Sequence, residues 1–228
     1  GPAVLPNCFG VSFTKLPMNQ GGALVHAYTD GSVLVSTGAV EMGQQVSRKI
    51  ARVVARALGI PLERVAVERT TTLTVANTVP TAASTGSDIN GMAALVACEE
   101  LLSRLLRKAE ALVGEPASNL SIRDGRLMRG CEDAGLSWEQ LVEKCHEARI
   151  DLSAHGFYAT PGLFYDMKAE RGSPFAYHVY GAALVVVRLD VLRGDYAIER
   201  AAIVPDLGRR LDPSVDLGQI EGAFAQGC

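Results

Sequence analysis

The chain has 228 residues, 48% of them hydrophobic, enough to bury a sizeable core in one large domain or two small ones and too apolar for extended disorder. Its 22 basic and 25 acidic residues are mixed along the sequence and leave a net charge of −3, so no electrostatic footprint for nucleic acid or an anionic membrane stands out. The longest apolar runs, such as "GAALVVV" at 181–187, fall far short of the roughly 20 residues a membrane-spanning helix needs, and no segment has a signal-peptide layout; a soluble, cytoplasmic protein is expected.

Gly1-Pro2 reads as the scar of a cleaved expression tag, so the fold is expected to occupy residues 3–228. "FGVSFT" at 9–14, "ALVHAYTD" at 23–30 and "SVLVST" at 32–37 alternate as strands do, and Asp30-Gly31 joins the last two as an antiparallel hairpin. Val46, Ile50, Val53, Val54 and Ala57 then repeat at helical spacing, with Gly59 and Pro61 as the stop. "RVAVERT" at 64–70 returns to alternation. Asp88 is placed as the cap of a long helix carrying Ile89, Met92, Leu95, Val96, Leu102, Leu105 and Leu106, ended by Gly114 and Pro116.

"LSIRDGRLM" at 120–128 signals a second hairpin around Asp124-Gly125, and Ser137 with Gln140 forms a capping-box pattern opening another helix. "AYHVYGAALVVVRLDV" and "YAIERAAIVPD" flank Arg193-Gly194-Asp195 as a long hairpin. The pattern predicts an α+β fold: two layers, with antiparallel or mixed sheets and helices packed on one side. Residues 114–137 mark a sub-boundary that the pattern allows without requiring.

Cys8, Cys98, Cys131, Cys145 and Cys228 are odd in number and scattered, and His26, His146, His155 and His178 are dispersed, so neither a disulfide framework nor a metal-ligand spacing is present. The chemistry-bearing signal lies elsewhere. "GAVEMGQQ" at 38–45 and "TAASTGSD" at 81–88 each stand where a strand-like run gives way to a helical one, and both are crowded with small residues. A helix start presents amide N–H groups without intrahelical partners, and small residues let a ligand approach them, which suits a phosphate and a hydrogen-bonding heterocycle. "DPSVDLGQIEGAF" at 212–224 is read as a third such corner, with Gly218-Gln219 just before an amphipathic run. Plain helix capping is the competing reading of all three. None carries a nucleophile–base pair, which points to binding by amides and not to acid–base chemistry.

"EMGQ" at 41–44, "TAAS" with "SD" at 81–88, "GFYATP" at 156–161, "SPFAYHVYGAA" at 173–183 and "LDPSVDLGQIEGAFAQG" at 211–227 together resemble the molybdenum-cofactor-binding portion of the xanthine dehydrogenase and aldehyde oxidase family, in order over nearly the whole chain. The resemblance implies a molybdopterin cofactor, in some members extended as a cytosine dinucleotide, whose metal takes no protein side chain as ligand. Met42, Gly43 and Gln44 match the loop that wraps the pterin and its phosphate, and Ala83 and Ser84 match the small-residue segment against the cofactor. Gly86 falls in that same binding segment, and Gln219 matches a glutamine at the pterin edge. Phe13 and Thr14 match an aromatic wall of the substrate channel and its neighbouring hydroxyl; a core aromatic on an alternating strand is the competing reading of Phe13. Two positions depart from the family: Gln45 stands where glycine is usual, and Gly86 where many relatives carry serine. They leave open a variant nucleotide, a shifted binding mode or a degenerate paralogue.

The implied reaction is hydroxylation of an aldehyde, purine or N-heterocycle with water as the oxygen source. The family's base is a glutamate in a Gly-Glu-Pro-Pro type motif beyond "GQIEGAF", and the sequence stops at Cys228 before such a motif. The expectation is therefore part of a larger catalytic subunit, inactive alone, with no catalytic or metal-ligating residue of its own. Its partners would be the rest of that subunit, a small-molecule substrate, iron–sulfur and FAD domains or subunits, and a second copy of the parent. A stand-alone, non-catalytic cofactor-binding or assembly module is the alternative.

Overall fold

In chain order the structure, a computed structural model of residues 1–228, contains β1 (Pro2–Val11), β2 (Gln20–Ala27), β3 (Val33–Thr37), α1 (Val46–Leu58), β4 (Val65–Val67), α2 (Gly86–Val113), β5 (Leu120–Arg123), β6 (Arg126–Arg129), β7 (Glu132–Ser137), α3 (Trp138–Glu147), β8 (Ser153–Ala159), β9 (Phe164–Asp166), β10 (Arg171–Ser173), β11 (Tyr177–Asp190), β12 (Asp195–Pro205) and α4 (Pro213–Gly227). These elements divide into two units: Gly1–Leu16 with Pro161–Arg210, and Pro17–Thr160 with Leu211–Cys228. The segment 114–137 lies inside the second.

The second unit is built on a four-stranded sheet ordered β4-β3-β2-β8, in which β3 and β4 run parallel and the other neighbours antiparallel. Successive strand side chains face opposite sides, so Ala23, Val25 and Ala27 of β2 are buried on one face while their neighbours are partly open. Val46, Ile50, Val54 and Leu58 of α1 and Ala93, Ala97, Leu101 and Leu105 of α2 close over that face in one hydrophobic cluster. The α+β architecture of mixed and antiparallel sheets with helices packed on one side is what the alternating and helical periods predict. A smaller sheet, β5-β6-β7, leads into α3. The predicted capping box is formed there: Ser137 and Gln140 exchange side-chain and backbone hydrogen bonds. Trp138, fully buried, donates its indole N–H to Gly31 O at 2.8 Å and so pins the β2–β3 turn.

In the first unit β1 pairs antiparallel with β11 from Pro2↔Val186 to Val11↔Tyr177, and β12 completes the sheet as the predicted long hairpin. The first strand therefore lies earlier than 9–14. Ser12, at φ 124°, breaks the extended backbone just after Val11. The long helix also starts earlier than predicted: its cap position is Thr85, and Asp88 sits within the first turn, where a carboxylate favours the helix dipole. Finally, α4 opens at Pro213 behind Asp212, so Gly218-Gln219 lie inside the helix instead of at its head.

Helix α2 presses closely on the sheet at Gly156 of β8. A Cβ there would meet Ala93 O at 2.0 Å and Ala97 N at 2.6 Å, both backbone atoms of α2 that cannot turn aside. Gly156→Ala is expected to destabilise the protein by about 3 kcal/mol, the upper part of the overpacking range, read as a lower urea midpoint at unchanged slope.

Candidate functional site

The loop between β3 and α1 is closed by its own side chains. Gln44 donates its side-chain amide to Val40 O at 2.8 Å and accepts the Met42 N–H at 2.6 Å. Glu41 accepts the N–H groups of Gly43 and Gln45, each at 2.9 Å, and of Ser47 at 3.1 Å. Three of the first corner's amides, read from sequence as open to a ligand, are thus already held by a carboxylate of the same loop. Partial burial acts to raise the Glu41 carboxyl, but the amide hydrogen bonds from Ser47, Gln45 and Gly43 outweigh it and keep the group below its ordinary value. Gly43 at φ 98° and Gln45 at φ 61° are both left-handed. At 45 the backbone conformation by itself therefore favours glycine, the residue the resemblance leads one to expect there.

The second corner is tied to the first, because Thr81 Oγ1 accepts the Val40 N–H at 2.9 Å. Ala83 and Ser84 are successive left-handed residues, at φ 51° and 57°. Such a conformation disfavours each non-glycine residue by roughly 1–2 kcal/mol. Ala82 O accepts from the Thr85 backbone N–H at 3.2 Å and hydroxyl at 3.1 Å, which holds the reversed turn closed. Thr85 consequently gives α2 no side-chain cap, and the helix starts at Gly86 with Ser87 beside it.

The third wall comes from α4 by way of charge. Asp212, 1% exposed, accepts Arg48 Nε at 2.6 Å and Arg52 Nε at 2.8 Å, while its other oxygen takes the Ser214 hydroxyl at 2.7 Å. The Ser214 hydroxyl and Arg48, with Arg52, hold the Asp212 carboxyl far below the ordinary carboxylate range against the opposing effect of burial. One turn on, Asp216 meets Lys49 at 2.8 Å. These pairs tie the cap and first turn of α4 to α1.

Between the three elements lies a hollow of about 300 Å³, lined by Met42, Gln44, Val46, Lys49, Thr81, Ala82, Ser84, Gly86, Ser87 and Gln219. Segments separated by more than a hundred residues therefore meet at one place. Of the residues singled out from sequence, Met42, Gln44, Ser84, Gly86 and Gln219 line it. Gly43 lines a neighbouring hollow of about 410 Å³ with Gln45, Arg48, Ser214, Val215, Gly218 and Gln219. Ala83 is half-buried between two lining residues. Phe13 and Thr14 are half-buried in the first unit, which contributes nothing to this hollow. Gln219 reaches the site as a mid-helix side chain and not through a helix-head amide. Sequence reasoning passed over Lys49, whereas Thr81, Ala82 and Ser87 belong to the small-residue corner at 81–88 that it had marked. The signal for Lys49 was available: Arg48, Lys49 and Arg52 on one helix face Asp212 and Asp216, themselves four apart, on another. The lining offers amides, hydroxyls, one ammonium and little side-chain bulk, a donor set for binding a polar, partly anionic molecule.

A profile of the family described as "Molybdopterin cofactor-binding domain" matches residues 1–228. Xanthine dehydrogenase 1 of Arabidopsis thaliana is 45% identical over 227 residues, covering 100% of this chain and 15% of its own length. Xanthine dehydrogenase/oxidase of Gallus gallus is 44% identical over 227 residues with the same coverage, 100% and 15%. The chain thus spans about 15% of the length of the curated relatives it matches. Among solved structures, the reconstituted CO dehydrogenase from Oligotropha carboxidovorans superposes with a TM-score of 0.78 over 97% of this chain and 27% of its own, at 20% identity. The aldehyde oxidoreductase from Desulfovibrio gigas does so with a TM-score of 0.76 over 100% of this chain and 22% of its own, at 21% identity. At these identities the superpositions establish a shared fold.

Two outcomes follow from the loop geometry. Glu41→Ala removes a cap worth about 1 kcal/mol. Because the folded carboxyl is depressed, the contribution is fully present above the ordinary glutamate value of about 4.3 and lost as pH falls below it. The difference in melting temperature between variant and parent should accordingly shrink on acidification. Gln45→Gly relieves the left-handed strain and is expected to raise stability by about 1 kcal/mol or less, part of the gain being offset by the freer unfolded chain; chemical denaturation measures it.

Proposed function

The chain belongs to the family of molybdopterin cofactor-binding domains, and on that premise we propose that the 300 Å³ hollow between the 38–45 loop, the 81–87 turn and α4 cradles the pterin of a molybdenum cofactor. The observation that carries the reading is the meeting of three segments, remote in sequence, on one hollow whose lining is rich in neutral hydrogen-bonding groups. The residues suit the group. The hollow's volume lies at the low end of the roughly 300–1,000 Å³ typical of small-molecule sites, and Ala82, Ser84, Gly86 and Ser87 leave room for close backbone approach. When bound, the cofactor supplies the two-electron oxidation chemistry of a molybdenum hydroxylase.

This chain's own residues position and do not react. With one amide hydrogen of Gln44 committed to Val40 O, the second remains for the ligand, and Met42 N–H fixes the oxygen end so that the amide cannot flip. Gln219 presents donor and acceptor together, as a pterin edge requires. The left-handed Ala83-Ser84 turn sets the Ser84 side chain at the hollow. Phe13 and Thr14 serve in this reading as substrate-channel residues, stacking on and hydrogen-bonding to a planar substrate. The wider assignment is to the catalytic subunit of a molybdenum hydroxylase that acts on an aldehyde, purine or N-heterocycle. The xanthine dehydrogenase names of the relatives favour a purine. Iron–sulfur and FAD domains or subunits, a cytoplasmic setting, a homo-oligomeric parent and, in one form, a cytosine dinucleotide extension belong to the same reading. The 228 residues alone are expected to turn nothing over.

The test is to release and identify the bound organic ligand. The full-length protein should yield a pterin by mass spectrometry with molybdenum in equal amount. Ser84→Trp, which fills the hollow from an exposed position, should lose both by tenfold or more while remaining folded at the assay temperature, as its melting curve checks. A full-length protein with no pterin, or a Trp variant that keeps it, sinks the proposal.

A further inference from the structure

Lys49 supplies the single charged side chain among the lining of the hollow. Its Nζ lies 2.8 Å from Asp216 Oδ1, and the two side chains are only 19% and 12% exposed. An ammonium so far removed from water is unfavourable unless paired, and Asp216 provides the pair. The pairing is incomplete by construction: an ammonium carries three N–H donors, and the contact with Asp216 engages one side of it. The neighbouring cations are differently committed. Arg48 and Arg52 both direct Nε to Asp212, and neither lines this hollow. Thr81, Ser84 and Ser87 share the lining with Lys49, so three hydroxyls and one cation border the same hollow, a set of donors that suits a tetrahedral oxyanion.

We propose that Lys49 binds the phosphate end of the ligand, and that Asp216 is a positioning residue that holds the ammonium at the hollow's wall. The proposal rests on the reading of the hollow as a pterin site. It divides the site into an oxyanion end at Lys49 and a heterocycle end served by the glutamine amides. The same ion pair read as a mere tie between α1 and α4 makes a different prediction, because then either partner is equally important to ligand retention.

The experiment uses full-length holoprotein with Lys49→Met, Asp216→Asn and the parent, each dialysed against rising sodium chloride, with retained pterin quantified by fluorescence after oxidation and molybdenum by elemental analysis. Lys49→Met should shed the ligand about tenfold faster, the loss expected for one hydrogen bond to a charged group. Its release should also depend less on salt than the parent's. Asp216→Asn, which keeps the ammonium, should lose markedly less. Lys49→Gln, polar against Asp216, serves where the Met variant does not accumulate and should show the same loss. Equal losses in the Lys49 and Asp216 variants, or retention by the Lys49 variants at parental level, overturn the inference while leaving the pterin reading intact. A parent protein that contains no pterin overturns the pterin reading and this inference with it.

Discussion

Asp212 accepts from arginines on successive turns of α1 and from the first turn of α4, so a single carboxylate, 1% exposed, fixes where the last helix lies against the first. Everything at the hollow that comes from α4 depends on it. Gln219 is two turns further along the same helix, and Asp216, which meets Lys49, is one turn along. A buried carboxylate with fewer donors would be costly to maintain. Two guanidinium groups and a serine hydroxyl make it favourable, and they keep it ionised.

A second constraint is how much hydrogen-bonding capacity the loops use on themselves. Glu41 occupies three amides at the start of α1, and Gln44 spends an acceptor and a donor on its own loop. Pre-organisation of this kind leaves fewer free groups but holds those that remain in place without a ligand. Part of the donor set leading into α1 is consequently engaged by its own loop, whereas α2, with no side-chain cap from Thr85, begins at residues that line the hollow. The asymmetry arises from backbone conformation: Ala83 and Ser84 spend their flexibility on a left-handed turn that a capping residue could not also satisfy.

Periodicity made most of the second unit legible. The β2–β3 hairpin, the apolar stripe of α1 and the Ser137 capping box were readable because each is decided within a few residues of sequence. β7 and β8 were not, since "EDAGLS" and "SAHGFYA" carry few β-branched residues; β8 is defined instead by its pairing with β2 and by Gly156 letting α2 press close. The head of α2 and the extent of α4 were misplaced for a shared reason. Left-handed φ at Ala83-Ser84 leaves no mark in side-chain pattern, and Asp212-Pro213 is a strong helix start that "GQIEGAF" draws the eye past. Motif resemblance found the glutamines and small residues of the hollow. It passed over Lys49, whose relevance appears only when α1 and α4 are laid side by side.

The last helix buries no side chain and is joined to α1 by Arg48, Lys49 and Arg52 through Asp212 and Asp216. Such contacts are directional where apolar packing is not, so they set the rotation of the helix about its own axis as well as its position, and with it which of its side chains, Gln219 among them, turns toward the hollow.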